Sequence, residues 1–161
     1  MTTTLDANVN TAVQTSTFLD RVMARAQFPD MYDARDMVVV VYRTLRDLIS
    51  TELAEAIAAD LEQTQLSDAR DKSLQGSIAR LWWDTNPLVR TLSRWRAPLK
   101  VTGERFLRRV IEEGGGLPAG VTPEAAISAV FAETKPELSP DTERQLVAAL
   151  PSSIELLWKQ A

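Results

Sequence analysis

The sequence predicts an all-α protein: two tandem copies of a three- to four-helix repeat packed into a helical bundle. Three observations carry this. Apolar residues recur at three- and four-residue steps in nearly every segment, which lines one face of a helix. Cap, proline and acid stand together at Thr122-Pro123-Glu124 and again at Ser139-Pro140-Asp141, the order that starts a helix. The string Phe18-Leu19-Asp20-Arg21-Val22 returns, offset by 88, as Phe106-Leu107-Arg108-Arg109-Val110.

Taken in order, the first helix starts at Ser16-Thr17, where Thr17-x-x-Asp20 forms a capping arrangement, and Phe28-Pro29-Asp30 interrupts it. A second helix is expected from about Asp33 to Ile49. Its valine run, Val38 to Val41, favours a strand by propensity. However, Met37, Val38, Val41, Tyr42, Leu45 and Leu48 fall on one helical face. Ser50-Thr51-Glu52 caps a third helix with Leu53, Ile57 and Leu61 inward. Glu62 to Ser67 is polar and reads as loop. Ser67 or Asp68 is expected to cap a fourth helix carrying Leu74, Ile78, Leu81 and Trp82. Asn86-Pro87 starts a short fifth helix that Pro98 stops. From Thr102 the pattern restarts. One helix ends at Gly114-Gly115-Gly116, and others follow Thr122, Ser139 and Pro151, the last with Ile154, Leu157 and Trp158 as its stripe.

Beyond the FLxRV strings, the offset becomes 89 after one added residue. Val38, Val41, Tyr42 and Ile49 then face Ile127, Val130, Phe131 and Leu138, and the cap Ser50 faces the cap Ser139. Cap falls on cap and core on core, which favours duplication over coincident periodicity. The expected organisation is a tail over 1–15, a first repeat over 16–65, a Trp/Arg-rich helical connector over 66–101 and a second repeat over 102–161. The alternative keeps them all in one compact domain.

The FL-x-RV openings, the [S/T]-[P/T]-[E/D] helix starts and the Ala148-Ala149-Leu150-Pro151 ending, followed by a short apolar helix to Trp158, resemble the two-repeat bacterial family known as domain of unknown function 2267. The resemblance covers roughly residues 16–160. It implies an all-helical fold and brings no established activity and no catalytic residues. The first copy departs from the pattern, because Glu62 rather than proline follows Leu61.

Composition bounds the chemistry. The chain has 161 residues, 45% hydrophobic and 25% charged, an ordinary globular composition. It contains no cysteine and no histidine. Disulfides, Ser-His-Asp or Cys-His catalysis and Cys/His zinc sites are thereby excluded. The segment 1–14 lacks the basic and apolar regions of a signal peptide. The longest apolar run, Met37 to Tyr42, is far too short to span a bilayer. A cytoplasmic protein without cofactor or metal is the expectation.

Charge is unevenly spread. Residues 70–109 hold ten bases and three acids, a local +7, within a chain of net charge −4. The remainder therefore carries −11, and such asymmetry points to a polar partner or to internal pairing. The candidate interaction surface is Trp83, Arg90, Arg94, Trp95, Arg96 and Lys100. Trp82 lies on the apolar stripe of its helix and reads as core, whereas Trp83 lies off it and is the better candidate for exposure. Gly114-Gly115-Gly116 lacks the GK[ST] ending of a phosphate loop and reads as a helix end. The paired carboxylates, among them Asp33 with Asp36 and Glu52 with Glu55, sit largely at helix starts, where acids are favoured without a metal.

These features lead first to a non-enzymatic helical protein-interaction or regulatory module, docking a partner with an acidic surface. Nucleic-acid binding through residues 80–109 is the alternative, since bases interleaved with aromatics suit a single strand; the acidic remainder opposes it. A small-ligand binder or enzyme using a groove between the repeats is the third reading, and a pocket lined by Asp, Arg and Tyr42 would favour it.

Overall fold

The computed structural model describes residues 16–83, 98 and 100–161 of the chain. Eight α-helices lie among them. They are α1 (Phe18–Ala26), α2 (Met31–Arg46), α3 (Thr51–Leu61), α4 (Ile78–Trp82), α5 (Gly103–Glu113), α6 (Pro123–Thr134), α7 (Pro140–Ala149) and α8 (Ser152–Gln160). Two 3₁₀ turns accompany them, Lys72–Leu74 and Lys135–Glu137. No strand forms among the described residues; one isolated bridge joins Gln65 to Ser77.

The expected caps start the helices. The Asp20 carboxylate accepts the Thr17 backbone N–H at 3.0 Å, half of a capping box. The hydroxyls of Ser50, Thr102 and Thr122 each accept the N–H of the residue three places on. Such a bond satisfies one of the first-turn donors that the helix itself leaves open. The second helix begins earlier than its periodicity indicates, because Asp30 caps it by accepting the Asp33 N–H at 2.9 Å. The valine run is helical, as its spacing requires: Val38 to Val41 lie within α2 and all are buried.

One expectation fails. Neither Ser67 nor Asp68 starts a helix; the chain stays irregular to Ser77, apart from the first 3₁₀ turn, and α4 is only Ile78–Trp82. The buried Ser67 hydroxyl instead donates to the Leu74 carbonyl at 2.7 Å and accepts the Ala69 N–H at 3.2 Å. A short polar side chain that bonds nearby backbone competes with the helix. The two edges of the loop also tie together, Leu66 N–H to Gly76 O at 2.7 Å and Ile78 N–H to Thr64 O at 2.9 Å. The expected fifth helix, from Asn86, lies outside the described residues.

The helices exchange neighbours between the two halves. The first helix of each half, α1 or α5, packs on both α2 and α6, the second helices. The two second helices contact each other, as do the third helices, α3 and α7. Val38, Val41 and Tyr42 of α2 and Ile127, Val130 and Phe131 of α6 are fully buried within one contiguous core. Burying each such side chain stabilises the fold by about 1.5–3 kcal/mol. A tryptophan closes each end of this core. The Trp82 ring stands edge-on to Tyr42 at 5.4 Å, and the Trp158 ring is tilted against Phe131 at 5.0 Å. Both geometries are ones the ring quadrupoles favour.

Candidate functional site

Two of the six candidate surface residues fall among those described. Lys100 is exposed. Trp83, the better candidate for exposure of the adjacent pair, is half-buried against the core, whereas Trp82 is fully buried. It ends α4, stands edge-on to Trp82 at 6.5 Å and lies beneath the Arg46 guanidinium, 5.9 Å from the ring centroid. That cation–π contact accounts for a tryptophan off the apolar stripe being covered. Arg90, Arg94, Trp95 and Arg96 lie outside the described residues. Trp82 is core as expected, and its indole N–H donates to the Ala54 carbonyl at 3.0 Å.

Several bases of the positive segment are engaged within the fold. Arg109 pairs with Glu113 at 2.7 Å and with Asp47. Burial acts to lower its pKa, but the hydrogen bonds to Glu113 and Asp47 outweigh it and hold the guanidinium above its ordinary value. Arg108 meets Glu104 one turn away, at 3.3 Å and in solvent, where such a pair contributes little. Arg80 differs. Its Nη1 donates to the carbonyls of Lys72 and Gln75, both at 2.7 Å, and it makes no ion pair with a described residue.

Arg80 lines an open groove of about 470 Å³. Its floor is one face of α2, with Val39 and Val40 between Arg35 and Arg43. One wall is Ser73, Arg80 and Leu81; the other is Glu113, Gly114 and Gly115 at the end of α5. Arg35 is paired with its neighbour Asp36 at 2.7 Å, and Arg43 reaches Glu113 at a longer 3.6 Å. Tyr42 is not part of the groove. It is fully buried, and desolvation pushes its phenol far above the ordinary tyrosine value. The Thr134 hydroxyl donates to Val130 O at 2.7 Å, so the Tyr42 hydroxyl, also 2.7 Å from Thr134, must be the donor there.

The glycine run ends a helix. Gly115 N–H donates to Glu112 O at 3.5 Å and Gly116 N–H to Ile111 O at 3.2 Å, with Gly115 in the left-handed region at φ 72°. This is the Schellman pattern. The amides that a phosphate loop would offer to an anion are used by the helix.

Two contacts escaped the sequence reading. Glu133, only 7% exposed, accepts from Arg21 Nε at 2.8 Å and Arg25 Nε at 3.0 Å, bridging α6 to α1. Arg21 and Arg25 are one turn apart on α1, which is a visible signal, but nothing local names their partner, 112 and 108 residues on. Arg21 and Arg109 are also the arginines shared by the two FLxRV strings, and each makes an ion pair into the other half. The second contact latches the loop before α4 onto α2: the exposed Tyr32 hydroxyl donates to Asp71 at 2.5 Å. That bond raises the Tyr32 pKa and lowers that of Asp71, which the Ser73 N–H and hydroxyl also hold.

No helix among the described residues is long and apolar enough to cross a membrane. A comparison with curated proteins yields no match. A family model described as "Uncharacterized conserved protein (DUF2267)" matches residues 15–157. With nearly the whole chain matched, and with the all-helical bundle and the FLxRV arginines described above, the protein belongs to the DUF2267 family of uncharacterised conserved proteins.

Proposed function

We propose that this chain is a non-enzymatic interaction module of the cytoplasm, built of two helical units, that docks a protein partner through the basic side of residues 70–109. The observation that carries this reading is Arg80. It is an exposed guanidinium oriented by two backbone carbonyls and, among the described residues, without an acidic partner. A positive segment that served only to neutralise its own acidic helices would engage each base as Arg109 is engaged. Support for the tandem-unit part comes from the matching aromatic pairs, Tyr42 with Trp82 and Phe131 with Trp158, and from the exchanged neighbours of α1 and α5.

Replacing Arg90, Arg94 and Arg96 together by glutamate is expected to abolish co-purification of the partner while leaving the helical circular dichroism intact. If every captured protein survives the change, this side of the chain is not the docking surface. Nucleic-acid binding would show as oligonucleotide affinity falling steeply with salt, and a flat titration with single- and double-stranded probes at low salt removes it.

A further inference from the structure

We infer that the groove over α2 is where the partner seats, and that it takes an extended peptide segment with two carboxylates about four residues apart and a small apolar residue between them. This rests on the interaction reading above and gives it a ligand chemistry. Arg35 and Arg43 sit two helical turns apart on the groove floor. At ~1.5 Å per residue their backbones are ~12 Å apart, a span that extended chain covers in about four residues at ~3.3 Å each. Val39 and Val40 lie between them, with Leu81 on the wall, so the middle of the bound segment meets a narrow apolar strip, each of the three being largely buried.

The three guanidiniums are poised to change or add partners. Arg80 is held by Lys72 O and Gln75 O, so its orientation is set before a ligand arrives. Arg43 can leave Glu113 without baring that carboxylate, because Arg109 holds it at 2.7 Å against 3.6 Å for Arg43. Arg35 can give up Asp36, whose side chain is 59% exposed and returns to water, while its guanidinium stays over the Tyr32 ring at 5.5 Å. A peptide carboxylate can engage a guanidinium through two parallel hydrogen bonds.

The rim selects the charge of the ligand. Asp36, Glu113 and the carbonyl end of α5 add negative potential along the groove. A phosphate dianion, which concentrates its charge at one point, is penalised there more than two carboxylates set ~12 Å apart, and a nucleic-acid backbone more than either. The wall is also specific to the first half. Ser73 comes from the loop over 62–77, whose carbonyls also orient Arg80 of α4; the second half, running from Leu150 through Pro151 directly into α8, has no such loop.

The test uses the full chain and a labelled pentapeptide, Asp-Ala-Val-Ala-Glu, capped at both ends, with its Asn/Gln counterpart as control. Saturable binding is expected for the acidic peptide only. It should weaken by about tenfold or more in Arg80→Glu and in Arg35→Glu, with unchanged helical signal and unchanged urea midpoint. Absence of saturable binding at millimolar peptide overturns the proposal. So does equal binding of the Asn/Gln peptide, unchanged affinity in both variants, or stronger binding of inorganic phosphate or an oligonucleotide at the same site. The two readings separate cleanly. If the Arg90, Arg94 and Arg96 triple change abolishes partner capture while Arg80→Glu leaves peptide binding intact, only the groove assignment fails. If Arg80→Glu abolishes peptide binding while the triple change spares capture, the groove stands and the wider basic surface does not.

Discussion

The two halves of the molecule reach similar cores and different surfaces. In each, an aromatic of the second helix lies under a tryptophan, and an FLxRV arginine pairs across to the other half. They diverge after the third helix. In the second half, Leu150-Pro151 leads directly into α8. In the first, residues 62–77 intervene before α4, tied by Leu66 to Gly76 and latched to α2 by Tyr32 and Asp71. That loop supplies Ser73 to one wall of the groove. The difference teaches that a loop can shape a surface while anchored in the interior: Leu66 and Leu74 are buried in the common core, and Ser73 between them lines the groove.

The comparison breaks most visibly at the tryptophans. Trp82→Ala and Trp158→Ala are each expected to cost about 3–5 kcal/mol, measured by urea unfolding, because each leaves a large cavity. The phenylalanine variants sharpen the test. The Trp82 indole donates to a buried main-chain carbonyl, the Trp158 indole to the more exposed Glu143 carboxylate. Trp82→Phe should therefore be worse by about 1 kcal/mol, since its lost hydrogen bond lies in the buried interior, where water cannot replace it, whereas Glu143 recovers water. Equal losses would mean that the two ends of the core are interchangeable.

Glu133→Gln tests the cross-half ion pairs. With Arg21 and Arg25 side chains 35% and 55% exposed, both cations can recover water. The loss is expected near 1–2 kcal/mol, below that of a fully buried pair. Asp47→Asn, at the other FLxRV arginine, should cost about half as much, because Glu113 still holds Arg109. The reverse order in chemical denaturation would make Arg109 the stronger link.

Tyr42→Phe should cost about 1 kcal/mol at neutral pH for its lost hydrogen bond to Thr134. At alkaline pH it should become an advantage. Burial raises the folded-state pKa above the ordinary 10.0, so the native protein keeps a proton that the unfolded chain releases. The stability from the neutral phenol is complete below that value and falls as pH rises past it. Unfolding followed by urea across this range should show a shallower decline in the phenylalanine variant; parallel declines would sink the assignment. The corresponding Phe131 has no phenol, so the second half carries no such dependence.

A further small effect is expected at the end of α5. Gly115→Ala forces a side chain into the left-handed region at φ 72° and should cost about 1 kcal/mol. No atom stands within 4 Å of the added methyl, so backbone conformation is the whole cost. The groove lip would move with it, and peptide affinity is the second readout.

The helix starts, the buried faces and the membership of Trp82 in the core were legible in residue order, because caps, prolines and 3.6-residue periodicity act within a few positions. The same local rules placed a helix start at Ser67, where the structure has a loop. They could not see that Ser67 would bury its hydroxyl against Leu74, or that the strand-like edges at 64–66 and 76–78 would tie together. Trp83 is more exposed than Trp82, in keeping with its place off the stripe, but its partial cover, Arg46, comes from another helix and could not be read locally.

What the sequence determined by itself is an all-helical chain with matched apolar faces and an uneven charge, and the absence of His and Cys closed off whole classes of chemistry. What only the tertiary structure decided is pairing over distance. Glu133 meets Arg21 and Arg25, Tyr42 meets Thr134, and Arg35, Arg43 and Arg80 gather around one groove. The physical reason is range: propensity and capping act over one or two turns, whereas a side chain's partner is set by which helices pack, and packing is fixed by burial summed over the whole chain.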